Sequence, residues 1–103
     1  MYIQEFQAFI NTYYDKKGWT DLNIFIRMGF LSEEVGEVSR AIRSLEIGRD
    51  RPDEQPLTAE EQHQQLVEEL GDVVGNIMVI AKKYNISMET IFESHKEKLL
   101  SRT

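Results

Sequence analysis

The chain has 103 residues, of which 41% are hydrophobic and 29% charged, and it carries a formal net charge of -6 at pH 7. This length predicts one soluble globular domain spanning residues 1–103, and the absence of cysteine excludes disulfides, thiolate metal sites and a thiol nucleophile. The acidic balance argues against nucleic acid or an anionic membrane as a partner, because both of these bind basic surfaces.

The amino-terminal segment MYIQEFQAFI predicts a helix and not a targeting signal. It lacks a basic start followed by an apolar run, and no segment of the chain approaches the roughly 18 apolar residues of a membrane span. We therefore expect a cytoplasmic protein with no membrane partner. The apolar residues Tyr2, Phe6, Phe9 and Tyr13 recur at helical intervals. The predicted helix has a basic last turn, and Gly18 should end it.

A second helix is predicted to start near Thr20 or Asp21 and to run to about Gly48. Its apolar stripe consists of Leu31, Val35, Val38, Ile42 and Leu45. The following stretch, GRDRPDEQP at 48–56, is rich in charge and contains both prolines, so it is predicted to be a surface loop.

Thr58 and Glu61 have the spacing of a capping box, which predicts the start of a third helix that extends to Asn85. Its stripe consists of Leu66, Leu70, Val73, Ile77, Ile80 and Tyr84. Ser87 should cap a fourth helix that ends near Thr103. Because no alternating strand pattern is present, the fold class is predicted to be all-α, a helical bundle of about four helices.

An eight-residue pattern occurs twice in the chain, as LSEEVGEV at 31–38 and as LVEELGDV at 66–73. In a helix that turns about 100° per residue, each copy places two acids at about -60° and -120° from its first leucine, at the shoulder of the apolar stripe. These acids are Glu34 and Glu37 in the first copy and Glu69 and Asp72 in the second.

If the two helices pack through their stripes, four carboxylates converge at the margin of the core, where like charges are costly. A divalent cation would relieve this cost, and an all-oxygen ligand set suits Mg²⁺ or Mn²⁺. Acids at this spacing also occur on solvated helix faces. Two matching copies are equally compatible with a sequence duplication or with a symmetric packing surface that binds no metal.

The paired motifs EEVGE and EELGD resemble the E-x-x-E … E-x-x-D signature of the MazG-type nucleoside triphosphate pyrophosphohydrolases, within the all-α NTP pyrophosphatase superfamily. The resemblance extends to GW at 18–19, to VVGNIMVIAKKYNIS after the second motif and to a last helix with lysines. It implies homodimers or homotetramers in which subunits complete a four-helix bundle. It also implies Mg²⁺-dependent hydrolysis of nucleoside triphosphates, (d)NTP, to monophosphate and pyrophosphate, a nucleotide-pool housekeeping activity.

The resemblance assigns metal binding and catalysis to Glu34, Glu37, Glu69 and Asp72. Asn76, one turn past Asp72, is a candidate substrate contact, although it could instead hydrogen-bond a ligand carboxylate. Lys96 and Arg102 are candidate phosphate contacts, with Lys98 as a further candidate. The chain departs from the usual family pattern in its longer 48–57 segment and in the leucines at 99–100, where relatives often carry asparagine.

Other classes of protein remain open at this point. A phosphoribosyl-ATP pyrophosphohydrolase belongs to the same superfamily and uses similar acids. A non-catalytic helical dimer with an interaction or regulatory role would keep the apolar stripes without needing the acids. A di-iron bundle fits less well, because the positions that should hold histidine ligands carry Glu37 and Asp72.

The third helix is apolar over a wide arc, because Val67, Val74 and Met78 lie well off its main stripe. One short chain should leave part of this surface uncovered. We therefore expect a homodimer or a larger homo-oligomer.

Overall fold

The computed structural model describes residues 1–48 and 57–102, and every regular element in these ranges is an α-helix. The four helices are α1 (Ile3–Lys17), α2 (Ile24–Ile47), α3 (Ala59–Lys83) and α4 (Met88–Ser101). The predicted all-α class is therefore confirmed for the described part of the chain. None of these helices is both long and apolar enough to cross a membrane.

The carboxyl end of α1 is closed by a glycine, as the sequence predicts. Gly18 adopts a left-handed conformation with a φ of 73°, which costs glycine little because it has no side chain. The amide of Gly18 donates to the carbonyl of Asp15, and the amide of Trp19 donates to the carbonyl of Tyr14. These bonds satisfy carbonyls that the end of the helix would otherwise leave without a partner.

The amino ends of α3 and α4 are closed by the predicted side-chain caps. The Thr58 amide donates to a Glu61 carboxylate oxygen at 2.9 Å, and the Glu61 amide donates to the Thr58 hydroxyl at 3.1 Å. This reciprocal pair is a complete capping box. At the start of α4, the hydroxyl of Ser87 accepts from the amide of Thr90 at 3.1 Å. Both predicted helix starts are confirmed.

Two helix ends differ from the prediction, the start of α2 and the end of α3. The start of α2 at Thr20 or Asp21 was wrong: α2 begins at Ile24, because the Thr20 hydroxyl donates back to the Asp15 carboxylate and does not cap the next helix. Helix α3 ends at Lys83, before Asn85, whose φ of 56° is left-handed and cannot continue a right-handed helix. Helix α4 ends at Ser101. Thr103 and the predicted loop beyond Gly48 lie outside the described residues.

The chain divides into two compact units, one formed by Met1–Ile24 with Ile77–Thr103 and the other by Phe25–Asn76. Helix α3 runs through the boundary, and the expectation of a single domain stays a prediction. The first unit has an apolar core of Ile10, Met78, Val79, Ala81 and Met88. At its surface, the Lys82 ammonium lies 2.7 Å from an Asp15 carboxylate oxygen.

The unit of Phe25–Asn76 pairs α2 with α3 in an antiparallel arrangement. Arg27, in the amino-terminal part of α2, contacts Asn76, in the carboxyl-terminal part of α3. Ser44, in the carboxyl-terminal part of α2, contacts Gln62, in the amino-terminal part of α3. The Gln62 side-chain amide donates to the Ser44 carbonyl at 2.7 Å. The repeated acids lie between these two contacts in the sequence of each helix. The antiparallel pairing therefore places the two motifs opposite each other along the helix pair.

The apolar stripe of α2 is only partly covered in the single chain. Val35 is 49% exposed, Ile42 46% and Leu45 37%, although the sequence predicts all three as core positions. On α3, Val67 is 48% exposed and Val74 37%, as expected for a surface that one chain leaves uncovered. Met78 is the exception: the expectation that it would be left uncovered was wrong, because the first unit buries it completely.

Candidate functional site

Three of the four repeated acids meet between α2 and α3. Glu34 of α2 and Glu69 and Asp72 of α3 each offer one carboxylate oxygen, and these atoms all lie within 4.8 Å of one another. Glu34 and Glu69 are half-buried, while Asp72 is exposed. We call these three residues the acid cluster. In the described part of the chain it is the one group of three or more metal-ligating side chains this close together.

Glu37, the fourth acid, is exposed and is not one of the three converging residues. Its negative charge nevertheless raises the pKa of Glu34 and that of Glu69. The side chain therefore lies near enough to interact electrostatically with the acid cluster. Its predicted role as a metal ligand stays a prediction.

The electrostatics of the acid cluster disfavour the ionised state of its two half-buried members. Burial raises the pKa of Glu34, and the negative charges of Asp72 and Glu69 raise it further. Burial also raises the pKa of Glu69, followed by the charges of Asp72 and Glu37, against a smaller opposing effect of its hydrogen bond with Glu34. Positive charge at this point, whether a proton or a cation, therefore stabilises the site.

The chemistry of the donor set fits a hard divalent cation. All three donors are carboxylate oxygens, the ligands that Mg²⁺ and Mn²⁺ prefer. An octahedral Mg²⁺ with bonds of about 2.1 Å places its ligand oxygens roughly 3 to 4.2 Å apart. Oxygens within 4.8 Å of one another need only small side-chain rotations to reach that spacing. The acid cluster could hold such an ion with coordination positions left for water or phosphate.

Asn76 lies one turn past Asp72, and both ends of its side-chain amide make hydrogen bonds. It is only 7% exposed. Its oxygen accepts from Nη1 of Arg27 at 2.9 Å, and its nitrogen donates to the main-chain carbonyl of Asp72 at 2.9 Å. The donor therefore reaches the backbone of Asp72, whereas the sequence suggested a bond to a ligand carboxylate. The alternative that Asn76 contacts substrate stays a prediction.

Arg27 was not singled out from the sequence, yet it is a buried charged residue at this site. It is 6% exposed, and its guanidinium carbon lies 5.6 Å from the centroid of the Phe30 ring, a cation–π distance. A signal was present: on the α2 helix Arg27 falls at about -40° from Leu31, within about 20° of Glu34. A charge on the core-facing shoulder of a helix indicates a specific partner.

The two basic candidates, Lys96 and Arg102, lie in the other compact unit. Lys96 is on α4, on a surface of that helix that is otherwise mainly apolar. Arg102 is the residue that follows the last turn of α4. Both side chains are exposed. Their predicted contacts with phosphate stay predictions.

Comparison with known proteins identifies the family of the chain. The family model of the MazG nucleotide pyrophosphohydrolase domain matches residues 27–103, a range that contains the acid cluster, Glu37 and the Arg27–Asn76 contact. The chain is also 48% identical over 102 residues to the uncharacterized protein YvdC of Bacillus subtilis (strain 168), covering 99% of this chain and 96% of that protein. No solved structure matches the chain. Because the family model covers most of the sequence, the chain belongs to the MazG nucleotide pyrophosphohydrolase domain family.

Proposed function

We propose that this protein hydrolyses nucleoside triphosphates, (d)NTP, to the monophosphate and pyrophosphate, with Mg²⁺ as cofactor and Mn²⁺ as a possible substitute. The observation that carries the proposal is the convergence of Glu34, Glu69 and Asp72 from two helices, with oxygens within 4.8 Å of one another. Membership of the MazG family supports the reaction class. The protein would act in the cytoplasm on the nucleotide pool.

The acid cluster would hold the metal, with Glu37 as a further ligand or as an adjacent charge. When bound, the cation supplies positive charge to the phosphates and makes water more acidic. The carboxylates orient the reacting groups, because they are fixed on two helices and not on a loop. Water attack at the α-phosphorus would release pyrophosphate, whose charge Lys96 and Arg102 could help to neutralise.

The same proposal includes a homodimer or homotetramer. The predicted core positions Val35, Ile42 and Leu45 lie on one face of α2 and remain between 37% and 49% exposed in one chain. An apolar stripe at helical spacing is stable in water when another apolar surface covers it. A second copy supplies an identical stripe, and two such helix pairs make a four-helix bundle.

The reaction is tested by measuring pyrophosphate release across standard and damaged (d)NTPs and phosphoribosyl-ATP, with and without Mg²⁺. We expect Mg²⁺-dependent release from at least one (d)NTP. Asp72→Ala and Glu37→Ala should each lower turnover by about 100-fold or more, because charge stabilisation in the transition state is lost. Glu33→Ala is the matched control, because Glu33 is exposed on the outer face of α2.

Two results would contradict the proposal. The first is hydrolysis of phosphoribosyl-ATP alone, which would assign the chain to the related enzyme class. The second is no release from any substrate, which would favour a non-catalytic helical dimer. If Asp72→Ala, Glu37→Ala and Glu33→Ala lose turnover equally and remain folded by circular dichroism, the metal ligands are assigned to the wrong positions.

The raised pKa values of Glu34 and Glu69 predict how the metal-free protein responds to pH. Both pKa values lie above the reference of 4.5 that applies in an unfolded chain. The folded state therefore binds these two protons more tightly than the unfolded state does. As pH rises above 4.5 and through the raised pKa values, loss of the protons lowers the stability of the fold. The destabilisation is absent at lower pH, where both groups are protonated in either state.

We therefore expect Glu34→Gln to match the wild-type melting temperature in chelator near pH 4 and to exceed it increasingly toward about pH 7. Mg²⁺ should raise the melting temperature of wild type more than that of the variant, because ligand binding stabilises the folded state by mass action. Glu33→Gln, on the exposed outer face, is the matched control and should change the melting temperature little. A Glu34→Gln protein that melts below wild type at neutral pH in chelator would contradict this interpretation.

The assembly is tested by light scattering at micromolar concentration, where we expect a mass of at least twice the 12.1 kDa of one chain. Ile42→Glu places a charge in the exposed apolar stripe and should shift the protein toward monomers. Glu33→Lys changes charge on the opposite face of the same helix and should leave the mass unchanged. A monomeric wild-type protein would refute the proposed oligomer.

A further inference from the structure

The acid cluster lies between two polar contacts that join α2 to α3. On one side, Arg27 donates to Asn76, four residues past Asp72 and therefore about 6 Å along the α3 axis. On the other side, Gln62 donates to Ser44, and Gln62 lies seven residues before Glu69, about 10 Å along the axis. Each contact is a hydrogen bond made by a side-chain amide of α3, and the two lie at different distances from the acids. Breaking the Gln62 contact is therefore a control for breaking the Asn76 contact.

The orientation of the Asn76 side chain is fixed by its partners. A guanidinium has donors only, so the Asn76 oxygen must face Arg27 and the nitrogen must face the carbonyl of Asp72. A flipped amide would set donor against donor and acceptor against acceptor. One side chain therefore joins α2 to the backbone of the residue that carries a carboxylate of the acid cluster.

Burial makes this connection costly to break. Arg27 is 6% exposed and Asn76 is 7% exposed, so removal of either partner leaves a buried polar group without that hydrogen bond. The Asp72 carbonyl lies within α3 and accepts the Asn76 side-chain nitrogen, while the Arg27 bond to the same side chain joins that turn of α3 to α2. Arg27 on α2 is thereby connected, through one side chain, to the turn of α3 that carries Asp72.

We propose that the Arg27–Asn76 pair is a positioning device that fixes Asp72 relative to Glu34 and thereby sets the affinity of the acid cluster for a divalent cation. The inference rests on the proposed metal site but goes beyond it, because neither residue is a metal ligand. Residues that orient the ligands of a metal typically change metal affinity by about 10- to 100-fold when they are replaced.

The test measures the binding of Mn²⁺ alone to the nucleotide-free, full-length protein, with unbound Mn²⁺ counted by electron paramagnetic resonance. Asn76→Ala and Arg27→Met should each weaken Mn²⁺ binding by about 10- to 100-fold. The double variant should be little worse than either single one, because both changes remove the same connection. Arg27→Lys retains a donor of similar reach and should restore most of the affinity.

Gln62→Ala is the matched control. It removes an amide side chain from the same helix and breaks the other contact between α2 and α3, so it should lower the melting temperature while leaving Mn²⁺ affinity close to that of wild type. If Arg27→Met does not fold by circular dichroism, Asn76→Ala carries the same test, because the smaller side chain leaves room for water beside Arg27.

The positioning role is overturned if Asn76→Ala binds Mn²⁺ as tightly as wild type, or if Gln62→Ala loses affinity to the same extent. The second result would show that any loosening of the helix pair has the same effect. A wild-type protein that binds no Mn²⁺ would overturn the proposed metal site together with the inference. If wild type binds Mn²⁺ and the Asn76 and Arg27 variants bind it equally tightly, only the positioning role is overturned.

Discussion

The repulsion among three carboxylates is the interaction on which the site depends. Glu34, Glu69 and Asp72 come from two helices and hold their oxygens within 4.8 Å of one another, although burial and mutual charge raise the pKa of Glu34 and of Glu69. A fold that crowds like charges in this way is less stable than one that disperses them. Such crowding is expected where a cation is to be bound, since the stored repulsion becomes binding energy for a counter-charge.

The pairing of α2 with α3 joins this polar site to the apolar surfaces around it. Along the pair, the described contacts at Arg27, Glu34 and Ser44 are polar, while the stripe at Val35, Ile42 and Leu45 remains half-exposed. The helix pair therefore holds the acid cluster between its two helices and leaves part of its apolar stripe exposed. Coverage of that face by another copy would lower the local dielectric and strengthen each interaction in the acid cluster. Assembly and metal affinity are then expected to be coupled.

The sequence predicted what depends on local spacing. The Gly18 stop, the Thr58–Glu61 capping box and the Ser87 cap involve residues close together in the chain, and all three are present. The repeated motif predicted the faces of the acids, since helical periodicity converts spacing into angle. It could not show that Glu37 is not one of the converging acids, because that depends on how the two helices are placed against each other.

The features that sequence reasoning missed depend on partners distant in the chain. Arg27 bonds Asn76, which lies 49 residues away, so its importance appears only when α2 and α3 are paired. Met78 lies off the main stripe of α3 but is buried by residues of α1 and α4. The late start of α2 has a local cause instead, since Thr20 bonds Asp15, which lies five residues earlier in the chain. For Arg27 and Met78 a tertiary contact decided the outcome, and for Thr20 a competing side-chain bond did.

The most direct measurement for the proposed metal site is X-ray diffraction from crystals soaked in Mn²⁺, with the ion located by its anomalous scattering. We expect one strong anomalous peak within about 2.2 Å of carboxylate oxygens of Glu34, Glu69 and Asp72, with water completing the coordination. The contradicting result is a structure in which these carboxylates pair with lysine or arginine side chains and Mn²⁺ is absent or bound elsewhere. That result would exclude a metal site at the repeated motif.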